Sequence, residues 1–237
     1  MPAIEICLSS DDLSLLKQNL NIIEQSAAQR IELCSAMHHS GLTPSVAAIK
    51  ISREYFSSPN GLLVMIRPRS GDFCYDNQDI ALMQEQISQA AEHGVDGVVL
   101  AALNEENQIN HQAMQRLLTH AKSYQLQTTF HRAFDALENP LMNIATLVDL
   151  GVDRILTSGV KWGEKGGALE GIEQLKAIVK TANNQIEIVV GGGVSPSNIH
   201  QLNQQLCHYK THYSFHAYSS VLKNNRVQPE RISALVI

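Results

Sequence analysis

The chain has 237 residues, 44% hydrophobic and only 17% charged, which excludes a disordered chain or a coiled coil and allows one large core or two small ones. Its formal net charge is -5 with no long basic run, which argues against a nucleic-acid partner. The longest unbroken apolar run, VVLAAL, is far too short to span a membrane, and MPAIEICLSSDD at the start lacks the basic and apolar segments of a secretory signal, so a cytoplasmic protein is expected.

Along the chain, β-prone runs recur at 3–7, 30–34, 62–67, 97–101, 127–131, 153–157, 186–190 and 213–217, with segments of roughly helical period between most of them. Thr43-Pro44, Asn139-Pro140 and Ser195-Pro196 each read as a helix N-cap followed by proline in the first turn. The stretches 81–94 and 143–151 read as helices that stop at a glycine. Strand and helix alternating eight times predict a TIM (β/α)₈ barrel forming a single domain over 1–237. An open doubly wound sheet is the alternative, but no G-x-G-x-x-G turn follows the first strand. After His216 only AYSSVLKNNRVQPERISALVI remains, so the eighth helix is expected to be short and a partner subunit to cover the seam.

Barrel proteins build their sites at the C-terminal ends of the strands. Here those ends carry Cys7, Cys34, Arg67 with Arg69, His131 with Arg132, Thr157-Ser158, Gly191-Gly192-Gly193 and His216. Glu5 and Glu32 each precede a cysteine by two residues and share its face. They read either as an acid/base carboxylate pair or as ion partners of Arg67 inside the barrel. Cys7 and Cys34 read as a soft-metal site or as small buried hydrophobes. Arg67 and Arg69 suit a carboxylate or phosphate, or pair with Glu32 and Asp72. The three glycines with Ser195 suggest an anion cradle, to which Ser219 and Ser220 add hydroxyls, while Thr157 and Ser158 complete the binding rim. His131 is placed to move protons, with Asp135 either orienting it or neutralising Arg132, and His216 is a second candidate. If Glu5, Glu32, His131 and Arg67 form a catalytic set, the first two should touch Arg67 and His131 should face the same cavity.

The segments IEIC, RIELCSA, IRPRSGDFCY, TFHRAFD, LGVDRILTSG and GGGVSPSNI together resemble the CutC family of copper homeostasis proteins, in the family's order and over most of the chain. That resemblance implies a TIM barrel, a cytoplasmic location, self-association as a homodimer or larger homo-oligomer, and a link to copper. It carries over Cys7, Cys34 and Cys74 as candidate Cu(I) ligands. The sequence departs from the family toward its C-terminus, after His216. Two functions from different classes stand: Cu(I) handling through rim thiols, or acid/base catalysis on a small phosphorylated or carboxylated metabolite. No organic cofactor is expected.

Overall fold

Eight parallel strands close into a barrel in sequence order, the eighth pairing with the first, in a computed structural model that describes residues 1–237. The strands are β1 (Ala3–Ser9), β2 (Arg30–Cys34), β3 (Leu62–Met65), β4 (Gly97–Leu100), β5 (Gln127–Phe130), β6 (Arg154–Thr157), β7 (Glu187–Val190) and β8 (Tyr213–Ala217). Seven full helices alternate with them: α1 (Leu13–Glu24), α2 (Val46–Tyr55), α3 (Asn77–Glu92), α4 (His111–Ser123), α5 (Pro140–Leu150), α6 (Ile172–Ala182) and α7 (Ile199–Leu206). Apolar residues such as Ile4, Ile31, Val64 and Phe215 leave the outer strand faces to pack beneath these helices, and together they form one continuous buried cluster. No helix is long and apolar enough to cross a membrane.

Two of the three predicted helix starts shift. Helix α5 begins at Pro140 as expected. Helix α2 begins after Ser45, whose side chain accepts the Ala48 amide, because Thr43 is occupied elsewhere: its hydroxyl accepts the Arg67 amide at 2.8 Å and donates to Gln86. Ser195-Pro196 opens a turn, and α7 starts only at Ile199.

The eighth helix is short, as predicted: α8 spans Pro229–Ser233. The seam is nevertheless covered by the chain itself. A two-stranded hairpin, Leu222–Lys223 with Arg226–Val227, precedes α8, and Val221, Val227, Ile232 and Leu235 are all fully buried. Asn19 of α1 pins this hairpin by donating to the Asn225 carbonyl at 3.1 Å and accepting the Val227 amide at 2.9 Å. The physical reason for expecting a partner over the seam is thereby removed.

Inside the barrel, register decides which residues share a layer. Glu5 pairs with Arg30, and Cys7 with Glu32. One strand repeat of about 6.6 Å separates the two layers. In the lower one, the Arg30 guanidinium donates to Glu5 at 2.8 Å, to Glu187 at 2.7 Å and to Ser214 at 2.6 Å. Arg154 donates to Thr129 at 3.1 Å and to Gln127 at 2.8 Å in the same layer. The expectation that Glu5 joins Glu32 at the rim is therefore corrected. Glu5 lies a layer below, bound to Arg30 rather than Arg67, in an ion network that plugs the barrel.

Candidate functional site

Above that plug, the C-terminal mouth encloses a cavity of about 250 Å³. Its floor is built from inward-facing positions of neighbouring strands: Cys7, Glu32, Cys34, Met65, His131, Leu156 and His216. The Cys7 thiol points at Cys34, sulfur to sulfur 3.9 Å, and both residues are 1% exposed. A Glu32 oxygen lies within 4.8 Å of both sulfurs. On its other side Glu32 meets His216 Nε2 at 2.7 Å. Burial alone would lower the His216 imidazole, but the Glu32 carboxylate raises it well above its usual range. Against its own desolvation, Glu32 is lowered by His216. The pair is thus a buried imidazolium and carboxylate. The sulfur contact and burial push Cys7 well up, while Cys34, though that contact lowers it, is carried by burial and Glu32 to about 11. Both thiols hold their protons at neutral pH.

His131 faces this cavity from just beyond β5, where it caps a short 3₁₀ turn. The Ala133 amide donates to its Nδ1 at 3.1 Å, so in the neutral ring the proton sits on Nε2. That Nε2 is buried and has no partner. Burial, reinforced by the nearby Arg67 charge, lowers the ring to about 3. Asp135 does not orient it. Instead Asp135 binds Arg132 at 2.8 Å, the Ser158 amide at 3.1 Å, the Ser158 hydroxyl at 3.0 Å and the Thr157 hydroxyl. Thr157 and Ser158 are therefore committed to positioning Asp135 and do not line the cavity.

Arg67 lines the cavity but touches neither glutamate. Its guanidinium donates to the carbonyls of His39 at 2.7 Å, Gly41 at 3.1 Å and Gly71 at 2.9 Å, and lies over the Phe73 ring. The expected Glu5–Arg67–Glu32 bridge is thus absent, because carbonyls of the loops after β2 and β3 hold the guanidinium instead. Arg69 is outside the cavity, clamped to Asp79 at 2.9 Å and Asp72 at 3.0 Å. Cys74 is likewise apart from the thiol pair. It bridges to Leu103 in extended backbone, so its neighbour Phe73 takes the inward side and Cys74 the other.

Of the glycine loop, Gly192 and Gly193 line the mouth with Val194, Ser219 and Ser220. Gly191 sits behind them, donating to the Thr157 carbonyl at 2.9 Å, and a Cβ there would come 2.7 Å from Leu156. Gly192 and Gly193 take φ of +82° and +80°, which favours glycine. Their carbonyls are engaged, by the Ala168 amide and the Asn198 side chain. The amides of Gly192, Gly193 and Val194 donate to no protein acceptor. Ser195 is not part of this cradle, since its amide donates to Asn198 at 2.9 Å and α7 starts later. The aromatic and thioether walls, Met37, Met65, Phe73, Trp162 and Tyr218, were not singled out in the sequence. Phe73 sits in the GDFCY motif, where its cysteine neighbour drew the attention.

The two histidines predict a stability maximum near pH 6.5. Below it, His131 resists protonation until about pH 3 while the unfolded ring binds a proton, so stability falls by about 1.4 kcal/mol per pH unit. Above it, the unfolded His216 loses a proton that the folded state keeps, and stability falls as pH climbs toward the folded value. Urea unfolding across pH should show His131→Gln flattening the limb between about 6.5 and 4.5. An acid limb as steep as that of the unsubstituted protein would reject this assignment.

Fold and site together define a TIM-barrel protein with a small, thiol-floored cavity at its C-terminal mouth. The chain belongs to the CutC family, whose model matches residues 3–217. It is 35% identical over 199 residues to the human copper homeostasis protein cutC homolog, covering 84% of this chain and 68% of that one. The family protein CutC of Histophilus somni is 38% identical over 199 residues, covering 84% and 76%. Among solved structures, the copper homeostasis protein CutC of Streptococcus agalactiae superposes with a TM-score of 0.78 at 33% identity, covering 91% of this chain and 98% of that one. Phosphoribosyl anthranilate isomerase of Thermococcus kodakaraensis, at 15% identity, TM-score 0.61 and coverage of 99% and 97%, shares the fold alone.

Proposed function

We propose that this copper homeostasis family member binds Cu(I) as cargo through Cys7 and Cys34 in a cytoplasmic setting. The observation that carries the reading is the 3.9 Å sulfur separation on the buried cavity floor. It is shorter than two metal–thiolate bonds of about 2.3 Å each, so one ion can touch both sulfurs. Thiolates select Cu(I), and the thioethers of Met37 and Met65 line the same space. Four free cysteines also suit a reducing compartment. Self-association is proposed from the family resemblance, and sedimentation of the purified protein tests it.

Loading both thiols with metal releases two protons, so apparent affinity should climb by up to about a hundredfold per pH unit through the neutral range. Competition against a chromogenic Cu(I) chelator between pH 6 and 8 checks this, with Cys74→Ser behaving as the unsubstituted protein. Affinity independent of pH would remove thiolate ligation from the reading.

A second reading, acid/base chemistry on a small anionic metabolite, is favoured by one specific observation. Three buried polar atoms among the cavity residues, Glu32 Oε1, Arg67 Nε and His131 Nε2, have no partner. Buried polar atoms are ordinarily satisfied, and a bound ligand is one way to satisfy them.

A further inference from the structure

We infer that the cavity takes a small, doubly anionic metabolite of the phosphorylated-acid class, its phosphate on the Gly192, Gly193 and Val194 amides and its carboxylate toward Arg67. The inference rests on the second reading above for the kind of ligand and adds its class and orientation.

Charge supplies the first ground. Arg67 is 3% exposed, and no carboxylate lies within ion-pair distance of it. Buried cations are ordinarily paired, because an isolated one is costly to desolvate. Here carbonyl dipoles and the Phe73 ring face hold the guanidinium, with no anion beside it, and its Nε has no partner at all. The other charges of the wall cancel locally: Glu32 against His216, and Arg132 against Asp135. Arg67 therefore leaves the cavity one positive charge in excess.

The second ground is the glycine loop. Three successive amides there are free of protein acceptors, two of them at glycines whose positive φ keeps side chains out of the loop and leaves its backbone approachable. The loops after the seventh and eighth strands are where barrels hold phosphate, and Ser219 and Ser220 border the same space.

Topology supplies the separation. Arg67 follows β3 and the glycines follow β7, four strands apart in a closed ring of eight, so they face each other across the mouth. A volume of about 250 Å³ admits only a small molecule between them. Such a molecule would pass over Glu32 and His131.

Calorimetric titration of the metal-free protein with 3-phosphoglycerate and with glycerol 3-phosphate tests this, since the two probes share the phosphate and differ in the carboxylate. 3-Phosphoglycerate should bind at least tenfold tighter, and Arg67→Lys should erase most of that difference. Ser219→Asp, at an exposed site whose side chain makes no protein hydrogen bond, should weaken both probes at least tenfold by setting a charge against the phosphate. If Arg67→Lys fails to fold, the ratio of the two probes and the Ser219→Asp result still decide. Equal affinity for the two probes, no binding of either at millimolar concentration, or indifference to Ser219→Asp would each overturn the inference. Because the assay reads binding and not turnover, a probe that binds but is not consumed would leave the ligand class standing and count against catalysis alone.

Discussion

Arg30→Leu is expected to destabilise the protein by about 3–5 kcal/mol, the cost of leaving buried charges unpaired. Arg30 is the one cation that touches both Glu5 and Glu187, and Glu5 is 1% exposed with its second oxygen already without a partner. Removing the guanidinium strands one carboxylate fully and the other partly in the middle of the barrel. For a chain of this size each kcal/mol is worth about 2–4 °C, so the melting midpoint should fall by roughly 6–20 °C. The double variant Arg30→Leu, Glu5→Leu should recover part of the loss, because an ion pair replaced by apolar groups costs far less than one broken. Lys176→Met, which removes an exposed helix pair with Glu173, serves as the control and should change stability by less than about 0.5 kcal/mol. Urea titrations of the three variants check the set. An Arg30→Leu protein as stable as the control would mean that the lower layer does not hold the barrel together.

The same layer explains what the sequence could and could not convey. Period-two alternation placed Glu5 with Cys7 and Glu32 with Cys34 on inward faces, and those faces are correct. Alternation carries no register, however. The pairing of Cys7 with Glu32 slides β1 against β2 by one repeat, which sends Glu5 to the plug and Glu32 to the cavity. All eight strands were legible because β-branched runs recur between helical segments. The Glu32–His216 pair was not, since it crosses the closure between residues 184 positions apart and exists only once the barrel shuts. Arg69 looked like a rim residue because it follows β3 closely, and Cys74 was a candidate ligand through the family resemblance. Both turn away where the chain takes up side-chain clamps to Asp72 and Asp79. Trp162, which stacks on Arg132, lies in the β6–α6 connection, where no periodicity marks which side chains point inward.

The proposed copper site depends on two soft ligands brought together by that register. With both removed, the cavity offers Cu(I) no thiolate, leaving a hard carboxylate, two imidazoles and the neutral thioethers of Met37 and Met65. Losing the outer partners of metal ligands alone typically costs about 10–100-fold in affinity, so losing both ligands should cost more than about 100-fold. Serine is close to cysteine in size, and the one hydrogen bond of the two thiols is a weak one, with each other. The double substitution should therefore leave the fold intact, which a melting curve confirms alongside the titration. The most direct test is a Cu(I) competition titration of Cys7→Ser, Cys34→Ser beside the unsubstituted protein at one pH. One equivalent bound tightly by the unsubstituted protein, and a loss of more than about 100-fold in the folded double variant, is the predicted result. A double variant that binds Cu(I) as tightly as the unsubstituted protein would contradict it.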